Sequence, residues 1–142
     1  MTDTGLSPRE SRDLRRVAGL MVPASDVYKV PGADDPKIVA DIEKSIGRDM
    51  ADMHKALAEL AGIADTDDAA AMAKAGAFKT QGGAQVEALE RCILQCYYRD
   101  DRVVISLGLE ARPPFPLGYT LEQGDWSLLD PVRKRAKMWK DA

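Results

Sequence analysis

Apolar residues recur every three or four positions through most of the first hundred residues, and that period predicts helices. Leu14, Val17, Ala18 and Met21 stand at i, i+3, i+4 and i+7, one stripe of an amphipathic helix. Its start is written in Ser7-Pro8-Arg9-Glu10. Serine at the N-cap, proline at the first helical position and glutamate at the third form a capping box, which satisfies backbone N–H groups that the first turn leaves without partners. Pro23 stops the helix, and the stretch from Pro23 to Ala33, held between two prolines, reads as a long ordered loop.

The next stripe is the longest. Asp35 caps it, Pro36 begins it, and Val39, Ile42, Ile46, Met50, Met53, Leu57 and Leu60 follow at spacings of three or four. Unbroken to Ala61, this predicts one helix of about seven turns with a continuous apolar seam. Gly47 offers a bend and Gly62 a C-terminal cap. A coiled coil is the alternative to a core helix, but the polar face mixes its charges irregularly, which favours a bundle.

Asp65-Thr66-Asp67-Asp68 supplies a cap for a short alanine-rich helix, Ala69 to about Ala77, broken by Phe78 and the Gly82-Gly83 pair. A further helix is expected from Ala84 to Tyr98 with Val86, Leu89, Ile93, Cys96 and Tyr97 inward. Asp100 or Asp101 then caps a last short piece, Arg102 to Leu107, ended by Gly108. Val103-Val104-Ile105 also suits a strand, but has no evident strand to pair with. The fold class is therefore all-α: a compact bundle of about five helices over 1–108. A long irregular C-terminal arm over 109–142, rich in proline and aromatic residues, completes the chain.

Composition changes this picture little. A chain of 142 residues supports one hydrophobic core. A formal charge of −3 gives no footprint for nucleic acid. Ten acids against four bases between Asp34 and Asp68 contrast with a basic tail of Arg133, Lys134, Arg135, Lys137 and Lys140. The tail is either a solvated terminus or a patch for an acidic partner. No stretch approaches the roughly twenty apolar residues of a membrane helix. Met1-Thr2-Asp3-Thr4-Gly5 has neither a basic nor an apolar leader region, so a cytoplasmic location is expected.

Candidate chemistry is sparse. His54 is the single histidine, one position from the seam residue Met53, and no serine or cysteine sits in a nucleophile elbow. Asp49, Asp52 and Glu59 lack the Glu-x-x-His partners of a di-iron site. Gly82-Gly83 is followed by no lysine and is no phosphate loop. Cys92 and Cys96 share one helical face without a second ligand pair, which suits buried free thiols better than metal. Neither a catalytic residue nor a cofactor or metal site is expected in this chain. A small enzyme built on His54 with a nearby carboxylate is the contrary reading.

The arm is the most unusual region. Phe115, Tyr119 and Trp126 lie in a stretch with no helical or strand period, Trp139 follows, and Tyr97-Tyr98 lead into it. Tyrosine and tryptophan offer large contact area at small entropy cost, and a proline-rich arm loses little freedom on docking. Tyr97, Tyr98, Phe115, Tyr119, Trp126 and Trp139 are therefore the candidate partner interface. The alternatives are an arm folded back on its own helices, or one exchanged between identical copies in a homo-oligomer.

Several segments together resemble the gluconate 2-dehydrogenase subunit 3 family. The first two are Leu14-Arg15-Arg16-Val17-Ala18-Gly19-Leu20-Met21-Val22-Pro23 and Pro31-Gly32-Ala33. The next is Tyr97-Tyr98-Arg99-Asp100-Asp101-Arg102-Val103-Val104-Ile105-Ser106-Leu107-Gly108, followed by the Pro-Phe-Pro-Leu-Gly-Tyr arm. The resemblance runs from about Leu6 to Trp139 and rests on the order and spacing of motifs that are individually common. It implies a mostly helical small subunit that binds and stabilises a large FAD-containing oxidoreductase of the glucose–methanol–choline type, acting on a sugar or alcohol. The flavin and the catalytic residues would belong to that partner. Exported members carry a twin-arginine signal; here Arg15-Arg16 lies inside an amphipathic helix with no apolar run after it, a departure from the family pattern.

Overall fold

The computed structural model describes residues 5–111 and 124–136. The described residues are mostly helical and contain no strand. The chain divides into two compact units, Met1–Ala111 and Arg112–Ala142.

In the first unit, α1 spans Pro8–Met21, α2 Pro36–Ser45, α3 Met50–Glu59, α4 Asp68–Gln81, α5 Ala84–Arg99 and α6 Asp101–Ser106. The capping box forms as expected: Ser7 Oγ accepts from Glu10 N at 3.3 Å and Glu10 Oε2 accepts from Ser7 N at 2.8 Å. Leu14, Val17 and Ala18 are buried, and Met21 packs at the edge of the core. The loop after α1 is ordered, with Ser25 and Val30 exchanging backbone hydrogen bonds of 3.1 Å in both directions. Gly19 lets this loop close on α1, since a Cβ there would come within 3.0 Å of the Asp34 side chain.

The single seven-turn helix is not observed. The seam is split into α2 and α3 by a 3₁₀ turn over Gly47–Asp49, and Gly47 takes a left-handed φ of 48°, which glycine adopts without steric cost. A straight helix over those residues would be about 39 Å long, whereas α5, on which both halves pack, would be about 24 Å. Both halves pack along α5, with Asp41 meeting Arg99 and Glu59 meeting Gln85. Ile42, Ile46, Met53, Leu57 and Leu60 all end in the core as the stripe required. Arg91 on α5 pins the break through an ion pair with Asp49 at 2.8 Å.

The alanine-rich helix also runs further than expected. Asp67, as N-cap, accepts from Ala70 N at 2.8 Å, and α4 continues through Phe78, whose ring is buried in the core rather than breaking the helix. The five inward positions expected on α5 are all buried. Val103-Val104-Ile105 is helical, with Asp100 as its cap and Val103 buried.

In the second unit, Trp126–Leu129 forms a 3₁₀ turn that continues into α7, Asp130–Arg133. Among the described residues no helix is long and apolar enough to cross a membrane.

Candidate partner interface

Tyr97-Tyr98-Arg99-Asp100-Asp101-Arg102 sits where α5 turns into α6, and most of it is occupied within the first unit. Tyr97 is 5 % exposed and belongs to the core. Burial, then the neighbouring Tyr98 and Asp100, push its phenol pKa up. Tyr98, 55 % exposed, meets the Tyr97 ring edge-on at 5.2 Å and 84°. Arg99 holds Asp41 with both prongs of its fork, Nε to Oδ2 at 2.6 Å and Nη2 to Oδ1 at 2.7 Å, and also donates to Ser45 Oγ.

Arg102 ties two helix starts together. Its Nε and Nη2 donate to Asp100 at 2.9 and 3.0 Å, and its Nη1 and Nη2 donate to Asp35 at 3.1 and 2.9 Å. Asp35 caps α2 through Lys37 N, and Asp100 caps α6 through Arg102 N, both at 3.0 Å. One guanidinium therefore joins the two N-caps. These contacts hold both carboxyls below the usual carboxylate range, the Arg102 hydrogen bond being the main cause in each.

Around this corner the surface turns apolar. Ile105, Leu107 and Leu109 are exposed along with Tyr98. A second apolar projection stands at the tip of the loop after α1, where Val27 and Tyr28 are exposed. Its sequence signal is faint: a valine–tyrosine pair inside an otherwise polar loop, in a segment too short to show a period.

Of the remaining expected interface residues, Trp126 is described, and Phe115, Tyr119 and Trp139 lie outside the described residues. Trp126 opens the 3₁₀ turn of the second unit and is 62 % exposed. Asp125 caps that turn, accepting from Ser127 N at 3.0 Å and Ser127 Oγ at 2.6 Å, and these bonds draw its pKa down. Every residue from 124 to 136 is exposed, including Leu128, Leu129 and Val132.

The candidate chemistry resolves into a structural cluster. His54 Nδ1 lies 2.7 Å from Glu10 Oε1, while Glu10 Oε2 accepts from Ser7 Oγ at 2.6 Å. The Ser7 hydroxyl bond, followed by the His54 bond, lowers the Glu10 carboxyl to about 2, against the opposing pull of burial. A serine nucleophile needs its hydroxyl on the histidine, with the carboxylate behind the ring. Here the carboxylate lies between serine and histidine, so His54 cannot take the Ser7 proton. Cys92 and Cys96 are buried free thiols whose pKa values burial pushes up, the reverse of a reactive thiolate. No cluster of three or more His, Cys, Asp or Glu suited to a metal occurs among the described residues.

One functional-looking residue had no pattern to reveal it. Asp13, on α1, is 1 % exposed and accepts from Gly62 N at 3.1 Å and Ala64 N at 3.0 Å, closing the turn between α3 and α4. In sequence it is one of several charges on a polar face. No protein family, curated protein or solved structure matches the chain.

Proposed function

We propose that the chain is a non-catalytic small subunit that binds and stabilises a large FAD-dependent oxidoreductase of the glucose–methanol–choline type, acting on a sugar or alcohol, as the likeness to the gluconate 2-dehydrogenase subunit 3 family implies. In this reading the helical unit is a bundle that carries the interface, the residues after 109 form the docking arm, and the flavin belongs to the partner. The observation that carries the interaction role is the exposure of every residue from 124 to 136, where Trp126, Leu128, Leu129 and Val132 stand in a segment that buries none of its described residues. Exposed aromatic and aliphatic anchors on a pre-shaped turn are what a protein interface uses. The internal engagement of Ser7, Glu10 and His54 supports the non-catalytic half of the reading.

The test is co-expression with a glucose–methanol–choline-type flavoprotein encoded beside this chain, scoring co-purification and flavin content. The expected result is a complex whose flavin resides in the large chain and which loosens when Trp126 is replaced by alanine. A stable homodimer of the chain alone that ignores the flavoprotein would replace this reading with the arm-exchanged homo-oligomer. Turnover by the chain alone, lost in His54→Ala, would revive the enzyme reading.

A further inference from the structure

Helix α1 sets Arg12, Arg15 and Arg16 at i, i+3 and i+4, neighbouring positions on one helical face. Together they line a groove of about 590 Å³ whose other charged members are Asp34 and Asp68. Leu20, Pro23 and Met72 contribute apolar lining. Three guanidinium groups thus face two carboxylates, and their hydrogen-bonding capacity is largely unspent.

Arg12 takes part in none of the hydrogen bonds or ion pairs among the described residues. Arg15 gives its Nε to the backbone oxygen of Asp34 at 3.0 Å, leaving its terminal nitrogens. Arg16 is held by one oxygen of Asp68, from Nη2 at 2.5 Å, and that aspartate side chain is 90 % exposed. The Nε of Arg16 is buried and has no partner, and it is the one buried side-chain nitrogen or oxygen in that condition among the described residues. A buried donor left unmet is costly, and a water or an ion is among the partners that relieve it. Arginine forks are met best by two oxygens of one oxyanion, where Asp68 supplies one.

We propose that this groove is an oxyanion-binding site, taking a small organic phosphate or carboxylate whose charged group engages Arg16 and Arg12 while its apolar body lies along Leu20, Pro23 and Met72. Asp68 competes with the ligand for the Arg16 fork. The site is independent of the partner interface and of the subunit role proposed above.

The experiment uses the full-length chain labelled with ¹⁵N, titrated with inorganic phosphate, phenyl phosphate and benzoate at ionic strength held constant with chloride. The arginine Nε–H resonances are followed. Phenyl phosphate or benzoate should move the Arg16 Nε–H signal saturably, and the tighter of the two identifies the headgroup. Arg12→Gln and Arg16→Lys should each weaken binding roughly tenfold or more, as expected for bonds to charged groups. Asp68→Asn should tighten it, and the helix keeps its cap because Asp67 fills that role. Far-UV circular dichroism checks that each variant is folded. Shifts that match those in chloride alone, or affinities unchanged in folded Arg12→Gln and Asp68→Asn, would overturn the proposal.

Discussion

At the start of α6, the Asp100 carboxylate caps Arg102 N, grips the same residue's guanidinium and is buried. At the start of the 3₁₀ turn, Asp125 makes an equivalent cap on Ser127 N and stays in solvent. Both regions write their local structure with the same aspartate chemistry, and both carry large apolar side chains. In 5–111 most of those side chains converge on one core built from residues between Leu14 and Val103. In 124–136 none of them is covered. Caps and turns therefore shape a segment at any size, but burial requires facing surfaces, and a turn followed by a single short helix supplies none.

Truncating apolar residues in both regions puts this contrast under the greatest strain. Ile46→Ala and Leu57→Ala remove fully buried side chains, and each should lower unfolding free energy by roughly 2–5 kcal/mol. Trp126→Ala and Leu128→Ala, in the isolated chain, should stay within about 0.5 kcal/mol. Denaturant titration measures both, and a large loss for Trp126→Ala would mean that the second unit is part of the chain's own core.

Next in size is the effect of the arm on the proposed pairing. Deleting 112–142 keeps Leu109, whose N–H donates to Val104 O at 3.2 Å and finishes the first unit. The truncated chain should retain its helical signal and lose flavoprotein co-purification. Trp126→Ala should cost on the order of 2 kcal/mol of binding if it is an anchor. Arg133, Lys134 and Arg135 should affect mainly the association rate and its salt dependence. Pairing that survives the deletion would move the interface to Tyr98, Ile105, Leu107 and the Val27–Tyr28 tip.

Arg102→Ala separates the regions by charge rather than by apolar burial. It leaves the Asp100 carboxylate, only 4 % exposed, with Lys37 at 3.8 Å as its remaining cation, and should cost roughly 1–3 kcal/mol. Asp35 and Asp100 have folded-state pKa values below their unfolded ones, as does Glu10, lowered from 4.5 to about 2. Their stabilisation is complete above the unfolded pKa values and is lost as pH falls through the folded ones. Thermal midpoints should therefore be level at neutral pH and decline between about pH 4.5 and pH 2, with Glu10→Gln and Arg102→Ala each flattening part of that decline. A decline unaltered in both variants would contradict the assignment.

Among the residues with a buried or part-buried partner, the smallest effect belongs to His54→Ala. Its ring is partly exposed and its hydrogen bond with Glu10 is part-buried, so the loss should be about 0.5–1.5 kcal/mol, with activity of the proposed complex unchanged. Loss of activity in a normally assembled complex would assign His54 a role that its geometry toward Ser7 does not suggest.

Local rules written in neighbouring residues are legible in the sequence itself. The Ser7–Glu10 capping box, the Pro36 start, the Asp100 cap and the inward face of α5 each depend on residues within one or two turns, and each forms as its pattern requires. The seam from Val39 to Leu60 names Ile42, Ile46, Met53, Leu57 and Leu60 as core residues, misses Ile38 and Ala56, and does not show the break between the two helices. Glycine at 47 permits a turn, and an apolar stripe that continues across it does not show whether the turn is taken. The break expected at Phe78 fails for a similar reason, because a ring in an alanine-rich helix becomes a core residue once α1 and α5 stand across from it.

Which charges meet was settled by packing. Asp13 reaches the turn after α3, Arg102 joins Asp35 to Asp100, and Glu10 meets His54 across 44 positions of chain. None of these pairs has a period or a spacing, because a charged side chain is satisfied by whatever packing brings within about 3 Å. Sequence likewise marks Tyr97 and Tyr98 as one aromatic pair, and the fold divides them: α5 turns Tyr97 into the core and leaves its neighbour to solvent, since adjacent helical residues point about 100° apart.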